Sequence, residues 1–332
     1  MPLVTVHDVR AAAHRIRGLA VRTPLLPCPW ADSPLLLKPE SLQATGAFKI
    51  RGASCKLDSL GAAERACGVV AHSSGNHAQA VAFAARRFGI RAVIVMPDAA
   101  PAVKIEATRA LGAEVVLVPA AEREECAREL AEREGLRPVP PYDDPAVIAG
   151  QGTVGLEIAE DAAEVLGEED VETGTVLVPV SGGGLISGVA VAVRALRPRM
   201  RVIGVEPELA ADLREGFLRG ERVTWGQELT ARTAADGLRA SPVGDLAWEH
   251  IRALVDDVVT VSEDEIREAM RVLAYRSRLV AEPSGAVATA AYLFRRDQLP
   301  GGTYVCVVSG GNVDPALLAE ILGVGSRPWT PG

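Results

Sequence analysis

Short continuous runs of apolar residues alternate along this chain with segments in which apolar positions recur at helical spacing. Between residues 68 and 134 the alternation comprises three pairs: strands at 68–71, 91–96 and 114–118, and helices at 76–88, 102–111 and 121–134. Apolar runs connected through helices are typical of parallel strands that are covered on both faces. This part of the chain therefore predicts a parallel α/β unit.

The alternation breaks once and then resumes. Residues 136–145 contain four prolines, which predicts a crossing between two lobes. Outside the first unit we predict helices at 5–17, 48–60, 154–166, 185–196, 263–280 and from 285 onward, with strands at 35–38, 175–180, 201–205 and 304–308. The predicted fold class is α/β, with two open, twisted, mostly parallel lobes: a large one from residues 1–65 and 146–325, a small one from 66–145 inserted in it, and a tail at 326–332.

Composition and charge agree with a globular protein and disfavour several function classes. The chain has 332 residues, of which 48% are hydrophobic and 23% charged, and its formal net charge is -8. Such a chain is a poor non-specific ligand for nucleic acid or an anionic membrane. No apolar run is long enough to cross a bilayer, and the N-terminus lacks the apolar core of a signal peptide. The five scattered cysteines are typical of a reduced, cytoplasmic protein and give no support for a zinc site.

One lysine, Lys49, lies at the start of a predicted helix within the segment TGAFKIRGA at 45–53. The positive end of the helix dipole disfavours a charged amine there, and burial would act in the same direction. A neutral amine is the form that makes an imine with an aldehyde. A lone lysine near a glycine is usually a solvated surface residue. Three glycine-rich segments change that interpretation: SSGNHAQ at 73–79, SGGGL at 181–185 and SGGN at 309–312.

The segment from Ser181 to Gly188 joins a predicted strand to a predicted helix. Its glycines let backbone N–H groups converge at the helix N-terminus, which suits a phosphate monoester. A tight βα turn without a ligand explains the segment equally well. No Gly-Lys-Ser/Thr follows as in a P-loop, and the dinucleotide spacing is absent, so a nucleotide-binding protein is a less favoured alternative.

The segment from Ser73 to Gln79 also lies between a strand and a helix. Its backbone donors could hold a second anion such as a substrate carboxylate, the Ser74 hydroxyl could reach a reacting carbon, and the Asn76 amide could bind a phenolate oxygen. Simple N-capping by Ser74 or Asn76 is the alternative. His77 is better explained as a structural histidine than as a base.

Ser309 follows a further buried strand. If the aldehyde that reacts with Lys49 belongs to a pyridine-containing cofactor, the Ser309 hydroxyl could hydrogen-bond its ring nitrogen. A neutral serine cannot hold a pyridinium as an aspartate does, so it should leave a weaker electron sink. That setting suits elimination better than transamination.

Together with DPAVIAGQGT at 144–153, these segments resemble the motifs of fold-type II, tryptophan synthase β-like enzymes that use pyridoxal phosphate (PLP). The specific resemblance is to the threonine/serine dehydratase and serine racemase family, over residues 5–322. It implies a homodimeric PLP-dependent ammonia-lyase that converts a β-hydroxy amino acid, L-threonine or L-serine, to a 2-oxo acid and ammonia.

The resemblance also implies a role for each matching residue. Lys49 would form the imine with PLP and, once released, remove the α-proton, while Ser74 would lie on the opposite face as a second acid or base. Phe48 would pack on the cofactor ring, Asn76 would bind its 3′-oxygen and Ser309 its ring nitrogen. The phosphate would be held by Ser181, Gly182, Gly183, Gly184 and Leu185, and the substrate would meet Ser73, Ser74, Gly75, Asn76, His77 and Tyr142.

Glu206, Ala210 and Asp212 match the spacing of a divalent-cation site found in part of this family. There a glutamate, a backbone carbonyl and an aspartate bind Mg²⁺, Mn²⁺ or Ca²⁺, which are hard cations that prefer oxygen ligands. Such a metal would stabilise the fold. Two solvated acids on a loop and a helix start are the alternative interpretation.

The chain departs from the family's racemases at two positions. Glu125 stands where they have an arginine, and Ala240 where they have a serine. Tyr142 occupies a position between the lobes where specificity varies, and an aromatic ring there favours a substrate less polar than serine. Because the chain ends near Gly332, we expect no C-terminal regulatory domain and no feedback inhibition by isoleucine.

Two further alternatives share the cofactor motifs. An amino-acid racemase, or a dehydratase of a bulkier β-hydroxy amino acid, is separated from the favoured function only by its products. A catalytically silent PLP-binding regulatory protein is disfavoured by the intact Lys49.

Overall fold

The computed structural model describes residues 2–73, 75–100, 102–167 and 172–323. Ser74 and the predicted tail at 326–332 lie outside these ranges. The strands of the described part are β1 (Leu26–Pro27), β2 (Leu35–Pro39), β3 (Val69–His72), β4 (Ala92–Pro97), β5 (Glu114–Val118), β6 (Arg137–Pro138), β7 (Thr175–Pro179), β8 (Arg201–Pro207), β9 (Asp257–Val261) and β10 (Tyr304–Val308).

The α-helices of the same ranges are α1 (Val6–Arg15), α2 (Lys49–Asp58), α3 (Ala62–Cys67), α4 (Asn76–Phe88), α5 (Ala102–Ala110), α6 (Arg123–Glu134), α7 (Pro145–Leu166), α8 (Gly184–Leu196), α9 (Asp212–Arg219), α10 (Gln227–Thr230), α11 (Asp245–Leu254), α12 (Glu263–Val272), α13 (Pro283–Phe294) and α14 (Pro315–Ile321). Short 3₁₀ segments lie at Glu40–Leu42, Ala120–Glu122 and Asp236–Leu238, and a π-helical turn at Leu273–Ser277.

The strands form two sheets, as the apolar runs predicted. The larger sheet has the order β1-β2-β10-β7-β8-β9 and the smaller one β5-β4-β3-β6. Only the β1–β2 pair among these is antiparallel. The predicted fold of two mostly parallel α/β lobes is therefore confirmed. Parallel strands end at one edge of their sheet, so the segments that follow β7 and β10, which are neighbours, start side by side.

Helix α7 packs between α2 and α8. A Cβ added at Gly150 would lie 2.7 Å from the carbonyl oxygen of Arg51 in α2, and one at Gly188 would lie 2.4 Å from the nitrogen of Gly152. These distances leave no room for a side chain at either crossing. Helix α7 therefore fixes the separation of the two helices whose first residues are Lys49 and Gly184.

Helix α2 also contributes to the core of the smaller sheet. Its Ile50, Ala53 and Leu57 are buried with Val69 and Ile94 of that sheet. The segment with the candidate lysine thus packs against both lobes.

Two predicted helix boundaries were wrong. Helix α7 begins at Pro145 and not at residue 154, because Asp144 accepts hydrogen bonds from the Ala146 and Val147 amides and proline is tolerated in a first turn. The helix predicted at 263–280 ends at Val272 and continues as the π-turn up to Arg278, whose φ is 60°. Strand β9 and helix α11 were not predicted at all. In the described part of the chain, none of the helices has the length and apolar character needed to span a bilayer.

Candidate active site

Lys49 is the first residue of α2, and its side chain is half-buried. Its Nζ donates a hydrogen bond to the carbonyl oxygen of Pro141 at 2.6 Å and lies 5.1 Å from the centre of the Phe48 ring. Burial lowers the pKa of this amine to about 8. A substantial fraction of Lys49 is therefore a neutral nucleophile slightly above neutral pH.

The segment that precedes Lys49 is hydrogen-bonded to the segment after β10. The Phe48 amide donates to the Ser309 carbonyl at 3.0 Å, and the Gly311 amide to the Gly46 carbonyl at 2.8 Å. Asn312 completes the junction: its Nδ2 lies 2.8 Å from both the Thr45 carbonyl and Oδ1 of Asn76. Three of the four segments selected from the sequence thus meet at one place.

The fourth segment joins β7 to α8. Gly183 has a φ of 89°, in the left-handed region that favours glycine, and α8 begins at the next residue. The Ser181 hydroxyl accepts a hydrogen bond from the Ala240 amide at 3.0 Å, and Leu185 is buried in the core. The backbone amides of a glycine turn at a helix N-terminus form a site that suits a phosphate group.

Tyr142 forms one wall of this glycine turn. A Cβ at Gly182 would lie 2.3 Å from its ring, and one at Gly184 would lie 2.9 Å from its carbonyl oxygen. Tyr142 follows Pro141, whose carbonyl holds Lys49. The segment 141–142 therefore connects the lysine to the glycine turn, and any side chain at Gly182 would displace the ring.

The segment after β3 carries the remaining predicted residues. The Gly75 amide donates to the Ser73 hydroxyl at 3.2 Å, and α4 begins at Asn76. Ring nitrogen Nε2 of the buried His77 lies 2.8 Å from the carbonyl oxygen of Val139, and burial lowers the pKa of this imidazole to about 3. These contacts favour the structural interpretation of His77 over a substrate contact.

Glu282 was missed by the sequence analysis. Its Oε1 accepts a hydrogen bond from Nδ2 of Asn76 at 2.6 Å, and its amide donates to the Gly310 carbonyl at 3.1 Å. Burial and the nearby Asp236 carboxylate raise the pKa of Glu282 to about 7, against the opposing effect of the Asn76 hydrogen bond. Its only sequence signal is the following Pro283, which is typical of an ordinary helix start.

An ion pair connects the two lobes close to the Ser73–His77 segment. Lys104 of α5 lies 2.7 Å from Asp236, which begins a 3₁₀ segment of the larger lobe. The same Nζ would be 3.9 Å from a Cβ at Gly75. The positive charge of Lys104, which lies close to this segment, is thus already balanced by a carboxylate of the protein.

The predicted metal residues Glu206 and Asp212 are both buried. Glu206 accepts hydrogen bonds from the amides of Leu213 and Arg214 at 3.2 and 2.7 Å, whereas Oδ2 of Asp212 is buried without a hydrogen-bond partner in the described part of the chain. Burial raises the pKa of both carboxyls, that of Asp212 to about 6. Within the described ranges, no group of three or more His, Cys, Asp or Glu side chains could hold a metal ion.

Comparison with known proteins identifies similar chains. The family described as pyridoxal-phosphate dependent enzyme matches residues 16–310. A catabolic L-threonine dehydratase of Escherichia coli is 43% identical over 96% of both chains, and an L-threo-3-hydroxyaspartate ammonia-lyase of Pseudomonas is 41% identical over 97% of this chain and 99% of its own. The structure of maize serine racemase superposes with a TM-score of 0.88 at 38% identity, covering 96% of this chain and 97% of its own.

Proposed function

The chain belongs to the family of pyridoxal-phosphate dependent enzymes, and from this premise we propose that it dehydrates and deaminates L-threonine or L-serine. The products are a 2-oxo acid and ammonia. The similarity to an L-threonine dehydratase over nearly the full length of both chains supports this reaction.

One observation carries the proposal: the amine of Lys49 has a lowered pKa and a carbonyl oxygen as its hydrogen-bond partner. A carboxylate partner would strongly favour the charged amine, whereas a neutral carbonyl favours it much less. The amine is held by Pro141, which precedes Tyr142, and the residue before Lys49 is hydrogen-bonded to Ser309. This arrangement fits the proposed cofactor because it offers an amine for its aldehyde and a glycine turn for its phosphate.

The cofactor supplies an electron sink next to the substrate's α-carbon when it is bound. Lys49 is the proposed base that removes the α-proton, and its neutral form is available because burial lowers its pKa. The Ser309 hydroxyl, now 3.4 Å from the Ser284 carbonyl, is the proposed donor to the pyridine nitrogen. Asn76 is the proposed contact of the 3′-oxygen, oriented by Glu282 and Asn312.

Backbone amides have the remaining proposed roles. Those of Ser181–Leu185 bind the phosphate, and those of the Ser73–His77 segment bind the substrate carboxylate. The side chain of Phe48 packs on the cofactor ring. Ser74 lies between Ser73 and Gly75 of this segment, and we propose it as the acid or base on the face opposite Lys49. Ser74→Ala is then expected to reduce elimination from D-serine more than from L-serine.

We further propose a substrate with a single carboxylate. A second carboxylate, as in 3-hydroxyaspartate, requires a cation to balance it, and Lys104 is already paired with Asp236. Threonine and serine carry a hydroxyl and no charged group at the β-carbon and need no such cation.

Three accompanying assignments belong to the same proposal. We propose that Glu206, Asp212 and the Ala210 carbonyl bind a divalent cation; the unpartnered, buried Oδ2 of Asp212 supports it. We propose a cytoplasmic homodimer, which light scattering after gel filtration tests. Residues 66–145 are proposed as the inserted lobe, supported by the fact that all four strands of the smaller sheet lie within them.

A panel of substrates tests the function directly. The purified holoenzyme is incubated with L-threonine, L-serine, D-serine and L-threo-3-hydroxyaspartate, and release of 2-oxo acid is followed. We expect release from L-threonine or L-serine at least about 100-fold faster than from hydroxyaspartate, because the second carboxylate of hydroxyaspartate would have no cation to balance it. Release from none of them, with the imine absorption band present, would contradict the dehydratase and favour a racemase or a silent binder.

A further inference from the structure

The side of α2 opposite Lys49 carries a buried arginine, Arg51, whose side chain is only 1% exposed. Its Nε and Nη2 bind both oxygens of Glu40 at 2.7 and 2.8 Å, and its Nη1 and Nη2 bind both oxygens of Glu157 at 2.6 and 2.9 Å. Nη1 also donates to Thr153 and Nη2 to the Val21 carbonyl, each at 3.0 Å. Every N–H of the guanidinium therefore has an acceptor.

The partners of Arg51 come from separate parts of the chain. Glu40 directly follows β2, Glu157 lies in α7, and Lys38 of β2 donates to Glu157 at 2.6 Å. Thr23 donates to Glu40 at 2.6 Å. The cluster of Lys38, Glu40, Arg51 and Glu157, here called the rear charge cluster, contains two cations and two anions and is electrically balanced.

The rear charge cluster lies behind Lys49. Successive residues of an α-helix are about 100° apart, so Arg51 points roughly 200° away from Lys49 in the same first turn. The next residue, Gly52, is also fixed, because its amide donates to Oε1 of Gln151 in α7 at 3.1 Å. Movement of the first turn of α2 would break these contacts, and that turn carries Lys49.

A buried ion cluster is an unusual means of stabilising a fold, since well-packed apolar residues commonly do so as well or better. A guanidinium fork offers something that apolar residues lack, because it binds two carboxylates in one fixed orientation. Helix α7, which carries Glu157, also contacts α8 at Gly152 and Gly188. Through Glu157 and α7, Arg51 thus fixes the position of Lys49 relative to α8, the helix that follows the glycine turn.

We propose that Arg51 is a positioning residue for Lys49: the rear charge cluster fixes the first turn of α2 so that the amine stays at the Pro141 carbonyl. This inference rests on the proposed function, in which Lys49 is the reacting amine. It assigns a use to Arg51, Gln151 and Thr153, for which no contact with cofactor or substrate is proposed.

Arg51→Lys is the decisive variant, because it keeps the charge and loses the fork. Full-length protein freed of PLP is labelled with an amine-selective reagent over a range of pH, and Lys49 is quantified by peptide mass spectrometry. The labelling midpoint of the wild type is expected near the pKa of about 8. In Arg51→Lys it rises by about 1 pH unit as Lys49 becomes more hydrated. In the holoenzyme kcat falls about 100-fold while KM changes by less than about threefold.

Arg194→Lys is the matched control. Arg194 is a partly buried arginine at the far end of α8 that binds the Leu254 carbonyl and Asp256. The Arg194→Lys variant should have a lower melting temperature and an unchanged pH midpoint for the labelling of Lys49. If Arg51→Lys does not fold, Thr153→Val removes a single contact of Arg51 and should shift the midpoint in the same direction by less.

Two results would overturn the inference: a folded Arg51→Lys protein whose midpoint equals that of the wild type, or an equal shift in Arg194→Lys. The labelling needs no substrate, so it separates the two proposals. A wild type that releases no 2-oxo acid, with the midpoint still shifted in Arg51→Lys, contradicts the proposed function alone.

Discussion

The two sides of helix α2 hold ionisable groups in opposite ways. Behind the helix, Lys38 is fully buried and donates to the Glu157 carboxylate at 2.6 Å. In front of it, Lys49 donates to a carbonyl at the same distance. Burial lowers the pKa of both amines, but in Lys38 the Glu157 and Glu40 carboxylates oppose that effect. The rear lysine thus has two carboxylates that favour its charged form, whereas burial of the front one is opposed by no carboxylate.

Carboxyl groups show the same difference. Arg51 and Lys38 counteract the effect of burial on Glu40 and lower its pKa, while Glu282, in front, accepts from a neutral amide and has its pKa raised to about 7. Balanced charges at the rear fix geometry, and unbalanced ones at the front can exchange protons. Perturbed groups in a cleft are candidates for function for this reason.

The largest effect is expected from the two lysines. Lys49→Ala should lower release of 2-oxo acid by at least about 10⁴-fold, because the amine is the proposed nucleophile and base. Treatment with borohydride should then attach no cofactor to the protein. Lys38→Met should keep the imine band and lose stability instead. If borohydride did attach cofactor to the Lys49→Ala protein, the reacting amine would be another one, and the proposed difference between Lys49 and Lys38 would be wrong.

The second effect separates the front and rear carboxyls by stability. Glu40→Gln leaves a buried positive charge without its partner and is expected to lower the free energy of unfolding by about 3–5 kcal/mol. Glu282→Gln replaces a group that is already largely protonated at pH 6, keeps an acceptor for Asn76, and should cost less than about 1 kcal/mol there. Urea unfolding of the two holoenzymes at pH 6 measures both values. Equal losses of unfolding free energy in the two variants would mean that Glu282 is charged at pH 6 and that the carboxyls on the two sides of α2 do not differ.

The parts of the site that follow one another in sequence were predictable, and the parts that meet only in space were not. Lys49 was selected because it begins a predicted helix in a chain with three further glycine-rich segments, and Ser309 because it follows an apolar run, which indicates where a parallel strand ends. Glu282 has no such signal, because its role comes from a hydrogen bond to a residue 206 positions away. Arg51 lay within a selected motif, but its partners were invisible for the same reason.

The fold shows the same limit. The continuous apolar runs of β3, β4, β7 and β10 predicted both sheets, because a buried parallel strand leaves that pattern. The prolines at 138, 140, 141 and 145 were interpreted together as a break, although Pro145 begins α7. The pattern does not distinguish a proline that ends an element from one that starts it.

A third, smaller effect concerns pH. The pKa of Glu282 is raised from 4.5 to about 7 in the folded protein, so folding favours its protonated form. Its contribution to the free energy of unfolding is complete below pH 4.5 and is lost as the pH rises to about 7, by about 3 kcal/mol in all. Glu282→Gln should therefore flatten the fall in stability between these values. Urea unfolding of the variant and the wild type at several pH values measures how the free energy of unfolding depends on pH. The same pH dependence in both proteins would show that Glu282 is not the titrating group.

The smallest effect tests whether Glu206 and Asp212 belong with the unbalanced carboxyls. If a divalent cation balances them, chelation removes a ligand that binds only the folded state, which costs about 1.4 kcal/mol when the cation was at ten times its Kd. For a chain of this size the melting temperature should fall by roughly 2–4 °C and recover with added Mg²⁺. Asp212→Ala should be indifferent to chelator, while Asp245→Asn, which alters an exposed acid, should respond as the wild type does. A wild-type melting temperature that ignores both chelator and Mg²⁺ would leave the pair to be neutralised by protons, because both pKa values are already raised by burial.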